Sequence, residues 1–400
     1  MSKFKYRAMT SEGNKIEGIY EGQSQNDVLS MISSNGYYPL MIEEIKENGN
    51  IQFKINKKVK TKHIAIFCRQ FYTMLNAGLP LTNCLNVLAN QVEHPRLREA
   101  VGEIEEEVKK GNSLSSSMKK YKDVFPDLLV NLVEAGEVSG NLDTILLRMA
   151  NHYEKENKVN NKVKGAMIYP IVLSVVAISV LIFILTYVMP TFMNLFNQTG
   201  TKLPWNTRFL MWLSNALSNH FILCAVVVLA AVLGIKYYCK TDNGTLFMSK
   251  LKLKLPIIKK LNQKIIVSRF TRTLSTLLAS GITLVQALQI VSTVVGNKIA
   301  ENSLLNIKEK VVRGEGLYSS IKAESIFPEM LSSMVKIGEE TGSLDDILNK
   351  TADFYDEEVE TTIQSTVALL EPILIVVMGL VIGFIILSIM LPMYDSYTQI

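Results

Sequence analysis

Two uncharged apolar runs constrain this chain more than any other feature. They are PIVLSVVAISVLIFILTYVMP over residues 170–190 and PILIVVMGLVIGFIILSIMLP over residues 372–392. A membrane-crossing helix needs roughly 20 consecutive, mostly apolar residues, and both runs supply that length. A water-soluble fold would have to bury two such helices on every side. Each run is also preceded by the same polar sequence, GEVSGNLDTIL at 136–146 and GEETGSLDDIL at 338–348. Gly136 and Gly338, Glu137 and Glu339, Gly140 and Gly342, and Asp143 and Asp345 coincide at one constant offset, as do Tyr153 and Tyr355, Pro170 and Pro372, and Pro190 and Pro392. The chain reads as a duplicated helical module whose copies each end by entering a membrane.

Composition agrees with a mixed chain. Of 400 residues 48% are hydrophobic, and the mean hydropathy is +0.20. That is high for a soluble protein and low for one lying mostly in lipid. A third candidate span covers 219–238, shorter in its purely apolar part and therefore open to the alternative of a buried core helix. The N-terminus, MSKFKYRAMT, has no apolar region of the secretory-signal kind. Lys155, Lys158, Lys162 and Lys164 precede the first span, and Lys236, Lys240, Lys250, Lys252, Lys254, Lys259 and Lys260 follow the second. Lys202 and Arg208 alone lie between those spans, and the tail after the third carries neither residue type. Cytoplasmic loops are the Lys/Arg-rich ones, so the expected topology has a cytoplasmic N-terminus, an external loop at 191–218, a cytoplasmic segment at 239–371 and an external tail at 393–400. The net charge of +5 then reflects membrane flanks, and no nucleic-acid partner is expected. Cys68, Cys84, Cys224 and Cys239 show no CxxC spacing and read as reduced apolar residues.

The expected fold class is a mainly α membrane protein: two repeated six-helix-bundle domains, three transmembrane helices and a small α/β N-terminal unit. Residues 1–50 form that unit, with two strands around a turn at Ser11-Glu12-Gly13-Asn14, a helix from Asn26 to Ser34 ended by Gly36, and a last strand from Tyr38 to Ile45. A polar linker occupies 51–61. The first bundle covers 62–168. Its opening helix carries Ile64, Phe67, Cys68, Phe71, Met74 and Leu75 at helical spacing, and later helices start near Thr82, Arg96, Ser113, Pro126 and Leu142. Spans follow at 169–190, 219–238 and 372–392, with the second bundle at 239–371. Setting Phe67 on Phe270 brings Arg69 onto Arg272, Gly78 onto Gly281 and Gly111 onto Gly314.

No phosphate-binding loop, zinc-protease motif or nucleophile elbow is present, and His63, His94, His152 and His220 are scattered. The chain therefore reads as a non-enzyme without cofactor or metal. In the duplicated turn, Gly140 and Gly342 suit a positive φ. Asn141 and Ser343 suit capping, and Asp143 and Asp345 suit the first turn of the following helix. Glu137 and Glu339 either bond back to that turn or face a partner. Arg69 and Arg272 read as carboxylate contacts, internal or to a partner. The acidic groups Glu134/Glu137 and Asp353/Asp356/Glu357/Glu360 read as solvated or partner-binding faces rather than a divalent-cation site, which needs shaped oxygen ligation. Pro170 and Pro372 mark a boundary kink or a hinge. Glu371 belongs at the membrane edge, at the interface or paired with an amine. Gly379 and Gly383 form a G-x-x-x-G step that lets helices approach in lipid.

These residues carry a resemblance. The two Gly-Glu-x-x-Gly-x-Leu-Asp turns and the EPILIVVMGLVIGFIILSIMLP ending from Glu371 make the chain similar, over essentially its whole length, to the PilC/GspF family of inner-membrane platform proteins of type IV pilus and type II secretion machines. The first copy departs from that ending, with Tyr169 where the second has Glu371. The resemblance implies a platform that couples a hexameric cytoplasmic secretion ATPase to pilin subunits drawn from the bilayer. Its implied partners are that ATPase, pilin or pseudopilin transmembrane helices, other inner-membrane assembly proteins, the lipid bilayer, and further copies of itself in a homo-oligomer. A transporter or a membrane-tethered signalling scaffold are the readings from other classes. A transporter would lack any charged residue in the apolar interior of the spans, 171–189, 221–235 and 373–391, to line a substrate path.

Overall fold

The computed structural model of the chain describes residues 2–10, 15–22, 24–45, 58–192 and 203–398, which divide into two compact units, Met1–Lys57 and Lys58–Ile400. In the first unit β1 (Ser2–Met9), β2 (Lys15–Gly22) and β3 (Tyr38–Ile45) form an antiparallel sheet in the order β2-β1-β3. Alternation along β1 puts Phe4 and Ala8 on one face, where they bury against Val28 and Ile32 of α1 (Gln25–Ser34). The Asp27 carboxylate accepts the Ser24 N–H at 3.2 Å and closes the first turn of α1. Pro39 lies on β3, an edge strand, where a missing N–H is tolerated. The expected turn at 11–14 and the linker residues 51–57 fall outside the described residues.

The second unit begins with α2 (Thr61–Asn76), α3 (Leu81–Gln91), α4 (Pro95–Lys109), α5 (Leu114–Lys119), α6 (Asp127–Ser139) and α7 (Leu142–Phe183). Ile64, Phe67, Cys68 and Phe71 of α2 are buried, as their spacing on one helix face requires. Three elements then intervene: α8 (Trp205–Asn219), α9 (Phe221–Tyr238) and α10 (Asp242–Lys254). The order of the first half returns in α11 (Pro256–Ala279), α12 (Leu284–Val294), α13 (Lys298–Val312), α14 (Leu317–Lys322), α15 (Glu329–Thr341) and α16 (Leu344–Thr398). The aligned aromatic residues make the same contact in both halves. Phe67 meets Phe125 with ring centroids 5.6 Å apart, and Phe270 meets Phe327 at 5.4 Å. Each fully buried Phe contributes about 1.5–3 kcal/mol relative to exposure, so these pairs anchor their halves. Both halves draw on one continuous hydrophobic core.

Two findings differ from the sequence reading. The stretch expected to be a simple external loop contains α8, and α10 is an additional helix whose Ser249 hydroxyl accepts the Lys298 N–H at 3.1 Å. In addition, no break separates repeat from span. α7 runs through Pro170 and α16 runs through Pro372 and Pro392 without interruption. Pro170 cannot donate to the carbonyl four residues back, yet the helix continues through it. Near the end of the first span the helix widens to a π turn at Ile184–Val188, with the Met189 N–H donating to the Ile184 carbonyl. Pro190 follows at once, and a wider turn eases the clash its ring imposes on the preceding turn.

Candidate functional site: the turns, the repeat junction and the apolar helices

The duplicated turn is built around two glycines with different tasks. Gly140 and Gly342 end α6 and α15 at φ +73° and +68°, a left-handed conformation that side chains disfavour. Gly136 and Gly338 allow close approach. A Cβ on Gly136 would stand 3.0 Å from Ile145 Cγ1, and one on Gly338 would stand 2.9 Å from Leu344 Cα. Asp143 and Asp345 lie in the first turns of α7 and α16, as expected. Asn141 and Ser343 do not cap those helices with their side chains. Asn141 makes no side-chain cap bond, and the Ser343 hydroxyl pairs with that of Thr341 at 2.7 Å.

Glu137 and Glu339 do something the sequence reading did not foresee. They neither close their own turn nor point away from the chain. Glu137 accepts the Leu114 and Ser115 N–H groups at 2.5 and 2.9 Å, at the start of α5. Glu339 accepts the Leu317 and Tyr318 N–H groups at 2.6 and 2.9 Å, at the start of α14. A helix start leaves N–H groups unpaired and carries partial positive charge, so a carboxylate there satisfies both. In both halves the motif glutamate locks the short helix onto the helix that precedes the long one.

Arg69 and Arg272 make internal contacts. Arg69 grips Glu154 through Nε and Nη2 at 2.8 and 2.7 Å and donates to Asn151 at 2.6 Å. Arg272 donates to Asn349 at 2.7 Å, Asp353 at 2.6 Å and Asp356 at 2.7 Å, and it is 8% exposed. Each arginine thus fastens the opening helix of its half to the long helix. The Arg69 guanidinium holds the Glu154 carboxyl below its usual range. Burial alone would raise the Asp353 carboxyl, but Lys155 and Arg272 hold it low.

Asp353 also joins the halves, because Lys155 donates to it at 2.5 Å. Further along, Lys162 pairs with Glu360, and the Tyr169 hydroxyl donates to Glu371 at 3.3 Å. The partners advance together along both helices, so α7 and α16 run parallel. Lys155, Lys162 and Tyr169 recur every seven residues, two helical turns, which keeps them on one face. The position where the copies depart from one another is therefore a complementary pair: the Tyr169 of one meets the Glu371 of the other. The acidic groups are largely accounted for as ion-pair partners, with Glu134 bound to Lys119 at 2.8 Å. By charge distribution alone Lys155 and Lys162 read as membrane-flank charges, whereas the structure pairs them with Asp353 and Glu360 of the other half. Their seven-residue spacing was the available signal.

Above these pairs lies a cleft of about 640 Å³ lined by Arg148, His152, Lys155, Arg272, Asp346 and Asn349. His152 is buried with Nδ1 unpartnered. Burial, with Arg272 and Arg269 nearby, pushes its imidazole down to about 4, so it stays neutral at physiological pH.

Below them the helices become apolar and exposed. The most apolar 18-residue windows of the helices at Leu142–Phe192 and Leu344–Tyr394 have mean hydropathy 2.9 and 3.1, with only 6% and 11% of residues buried. Exposed apolar patches of that size mark a membrane or partner surface, and the length of these helices suits a bilayer. These two helices are long and apolar enough to cross a membrane; α8 and the helix Ile222–Tyr238, bent by 93° to each other, meet the same test only as a pair. Pro170 is buried and Pro372 exposed. Gly379 and Gly383 meet open space, since a Cβ on either would have nothing within 4 Å. Neither glycine of the G-x-x-x-G step is therefore covered by another described part of the chain, although Val381 between them packs toward Leu185, Met189 and Leu210.

The sequence and its duplication match a known family. The model for type II secretion system protein F matches residues 67–190 and again 270–392, and the model for the N-terminal domain of that protein matches residues 1–43. The chain belongs to the type II secretion system protein F family. It is 36% identical over 401 residues to the type IV pilus assembly protein PilC of Thermus thermophilus, covering 98% of each chain. It is 34% identical to the PilC of Myxococcus xanthus, over 98% of this chain and 95% of the relative. With the type II secretion system protein F of Vibrio cholerae identity is 30%, over 99% of this chain and 98% of the relative. The two matched segments of the family model are the two halves described above. The Glu137 and Glu339 caps, the Arg69 and Arg272 clamps and the Tyr169–Glu371 pair all fall inside them.

Proposed function

We propose that this protein is the inner-membrane platform of a type IV pilus assembly machine. In this reading it couples a hexameric cytoplasmic ATPase to the insertion of pilin subunits into a filament, and carries out no chemical step of its own. The observation that carries the proposal is mechanical. Each half has one helix, α7 or α16, that runs unbroken from a polar, ion-paired core into a lipid-facing stretch. Displacement of the core then moves the span as a lever. Pro170 and Pro372 mark where such a lever flexes. The segments 62–168 and 239–371 act as the cytoplasmic domains that meet the ATPase. Three spans, at 169–190, 219–238 and 372–392, meet pilin helices and other inner-membrane assembly proteins. The N-terminus is cytoplasmic, the C-terminus is external, and the platform works as a small homo-oligomer.

The second reading is the equivalent platform of a type II secretion or competence pseudopilus system. Family membership supports it equally, while the higher identity to the PilC relatives favours the pilus. The open Gly379/Gly383 face suits close packing of a client or sister helix. The test is electron microscopy of surface filaments in a deletion strain, with the gene restored as control. Loss of filaments while pilin stays in the membrane supports the pilus platform. Filaments that persist unchanged, with loss of a secreted product or of DNA uptake, move the assignment to a pseudopilus system.

A further inference from the structure

We infer that α8 is an interfacial membrane helix: it lies in the headgroup region of the bilayer, at the end of the spans remote from the helical core, with Trp205, Phe209 and Trp212 turned into lipid. This differs from the water-exposed external loop that charge counting gives for 191–218.

The inward face of α8 is fixed to the spans by two buried hydrogen bonds. The Thr207 hydroxyl donates to the Ser388 carbonyl at 2.5 Å, and the Ser214 hydroxyl donates to the Leu185 carbonyl at 2.5 Å. Thr207 and Ser214 are 0% and 1% exposed, and Leu210 between them packs with Leu185, Met189 and Ile385. Both accepting carbonyls belong to hydroxyl or apolar stretches of helix inside the spans, where no water is available to satisfy a donor. These contacts set the depth. Ser388 is three residues from Leu391 and Leu185 four from Met189, the last apolar residues before the closing prolines. At 1.5 Å per residue the contacts sit about 5 Å inside the end of the apolar stretch. An interfacial amphipathic helix sits at about that depth, 5–10 Å into the headgroup boundary.

The opposite face has matching chemistry. Trp205, Phe209 and Trp212 follow the i, i+4, i+7 spacing of one helix face and are 74%, 50% and 66% exposed. That face is continuous with the lipid-facing surface of α16. The Trp205 ring lies 6.3 Å from that of Phe384, beside Leu380 and Leu387, which are 69% and 60% exposed. Tryptophan concentrates at membrane interfaces because one edge is polar and the body apolar. Arg208 and Asn215 are exposed together on one side of the aromatic face, and Arg208 donates to the Leu203 carbonyl at 3.0 Å.

The chain contains two tryptophans, Trp205 and Trp212, so tryptophan emission, excited to the red of tyrosine absorption, reports this helix alone. The full chain would be reconstituted into phosphatidylcholine–phosphatidylglycerol vesicles. Quenching would be compared for lipids brominated near the headgroup, lipids brominated near the chain terminus, and aqueous iodide. The inference expects the shallow lipid to quench more strongly than either other agent, because an interfacial helix holds its apolar face about 5–10 Å into the headgroup boundary. Stronger quenching by iodide would mean a water-exposed loop and would overturn it. Stronger quenching by the deep lipid would mean a spanning segment, and protection from all three would mean a face covered by protein; either result also overturns it. Trp205→Phe and Trp212→Phe assign the signal to each ring.

Discussion

At the scale of single residues, the motif glutamates are the least expected finding, because their partners lie more than twenty positions back along the chain. α14 begins at Gly316, which has no side chain to cap it, so Glu339 is its side-chain acceptor. α5 begins at Ser113, whose hydroxyl accepts the Ser116 N–H at 3.3 Å. Glu339→Ala should therefore loosen α14 more than Glu137→Ala loosens α5. Loss of such a cap costs about 1 kcal/mol, and amide hydrogen exchange at Leu317 and Tyr318 should quicken several-fold, with Glu339→Gln in between. His152 makes a pH prediction. Its folded value of about 4 lies below the ordinary 6.5. The unfolded chain therefore binds the extra proton, and the stability this group confers is fully present above about pH 6.5 and is lost as pH falls toward 4, on the order of 3 kcal/mol in all. Glu156, raised by burial, runs the other way over an overlapping range. The diagnostic is therefore the difference between wild type and His152→Gln: melting temperature in detergent should fall more steeply between pH 6.5 and 4 in wild type than in the variant.

At the scale of elements, the parallel pairing of α7 and α16 ties the two halves together. Arg272 reaches Asp353 from α11 while Lys155 reaches it from α7, so one carboxylate is shared between the within-half clamp and the between-half ladder. The register is directly testable. In a chain whose four native cysteines are replaced by alanine, a short bis-maleimide should bridge Lys155→Cys with Asp353→Cys, whose native side chains meet, and should not bridge Lys155→Cys with Glu371→Cys, about 27 Å further along the helix. Equal cross-linking of both pairs would refute the parallel register. The helices of each half were legible because their apolar positions repeat with helical period and their ends carry Gly or Pro. α8 was not. Its stretch carries apolar residues at helical spacing, Trp205, Phe209 and Trp212 on one face, but a count of charges alone passes over that period, and its inward face is fixed only when Thr207 and Ser214 find carbonyls on the spans.

At the scale of the whole molecule, the charge asymmetry makes a claim about sidedness. Lysines cluster beside the helical core and are sparse at the far end of the spans. With membrane-impermeant maleimide on intact cells, a cysteine placed at Ser218 should label, whereas one placed at Lys158 or Lys336 should label only after permeabilisation, as the positive-inside rule requires. Labelling of all three in intact cells would reverse the proposed topology. Both long helices cross from the polar core into lipid without a break, so a change at the Arg272 cluster and a change at the membrane are two ends of one element.

The sequence alone determined the duplication, the two long apolar helices, the glycine turns and the small sheet with its helix. Each is written in local period or in repeated spacing, which needs no knowledge of distant contacts. The tertiary structure decided which carboxylate caps which helix, that Arg69 and Arg272 are spent within the chain, that Tyr169 meets Glu371, and that α8 folds onto the spans. Those are long-range pairings. Hydrogen bonds and ion pairs between residues many positions apart leave no periodic trace in the chain, and their energy appears only when folding brings the partners together and removes the water between them.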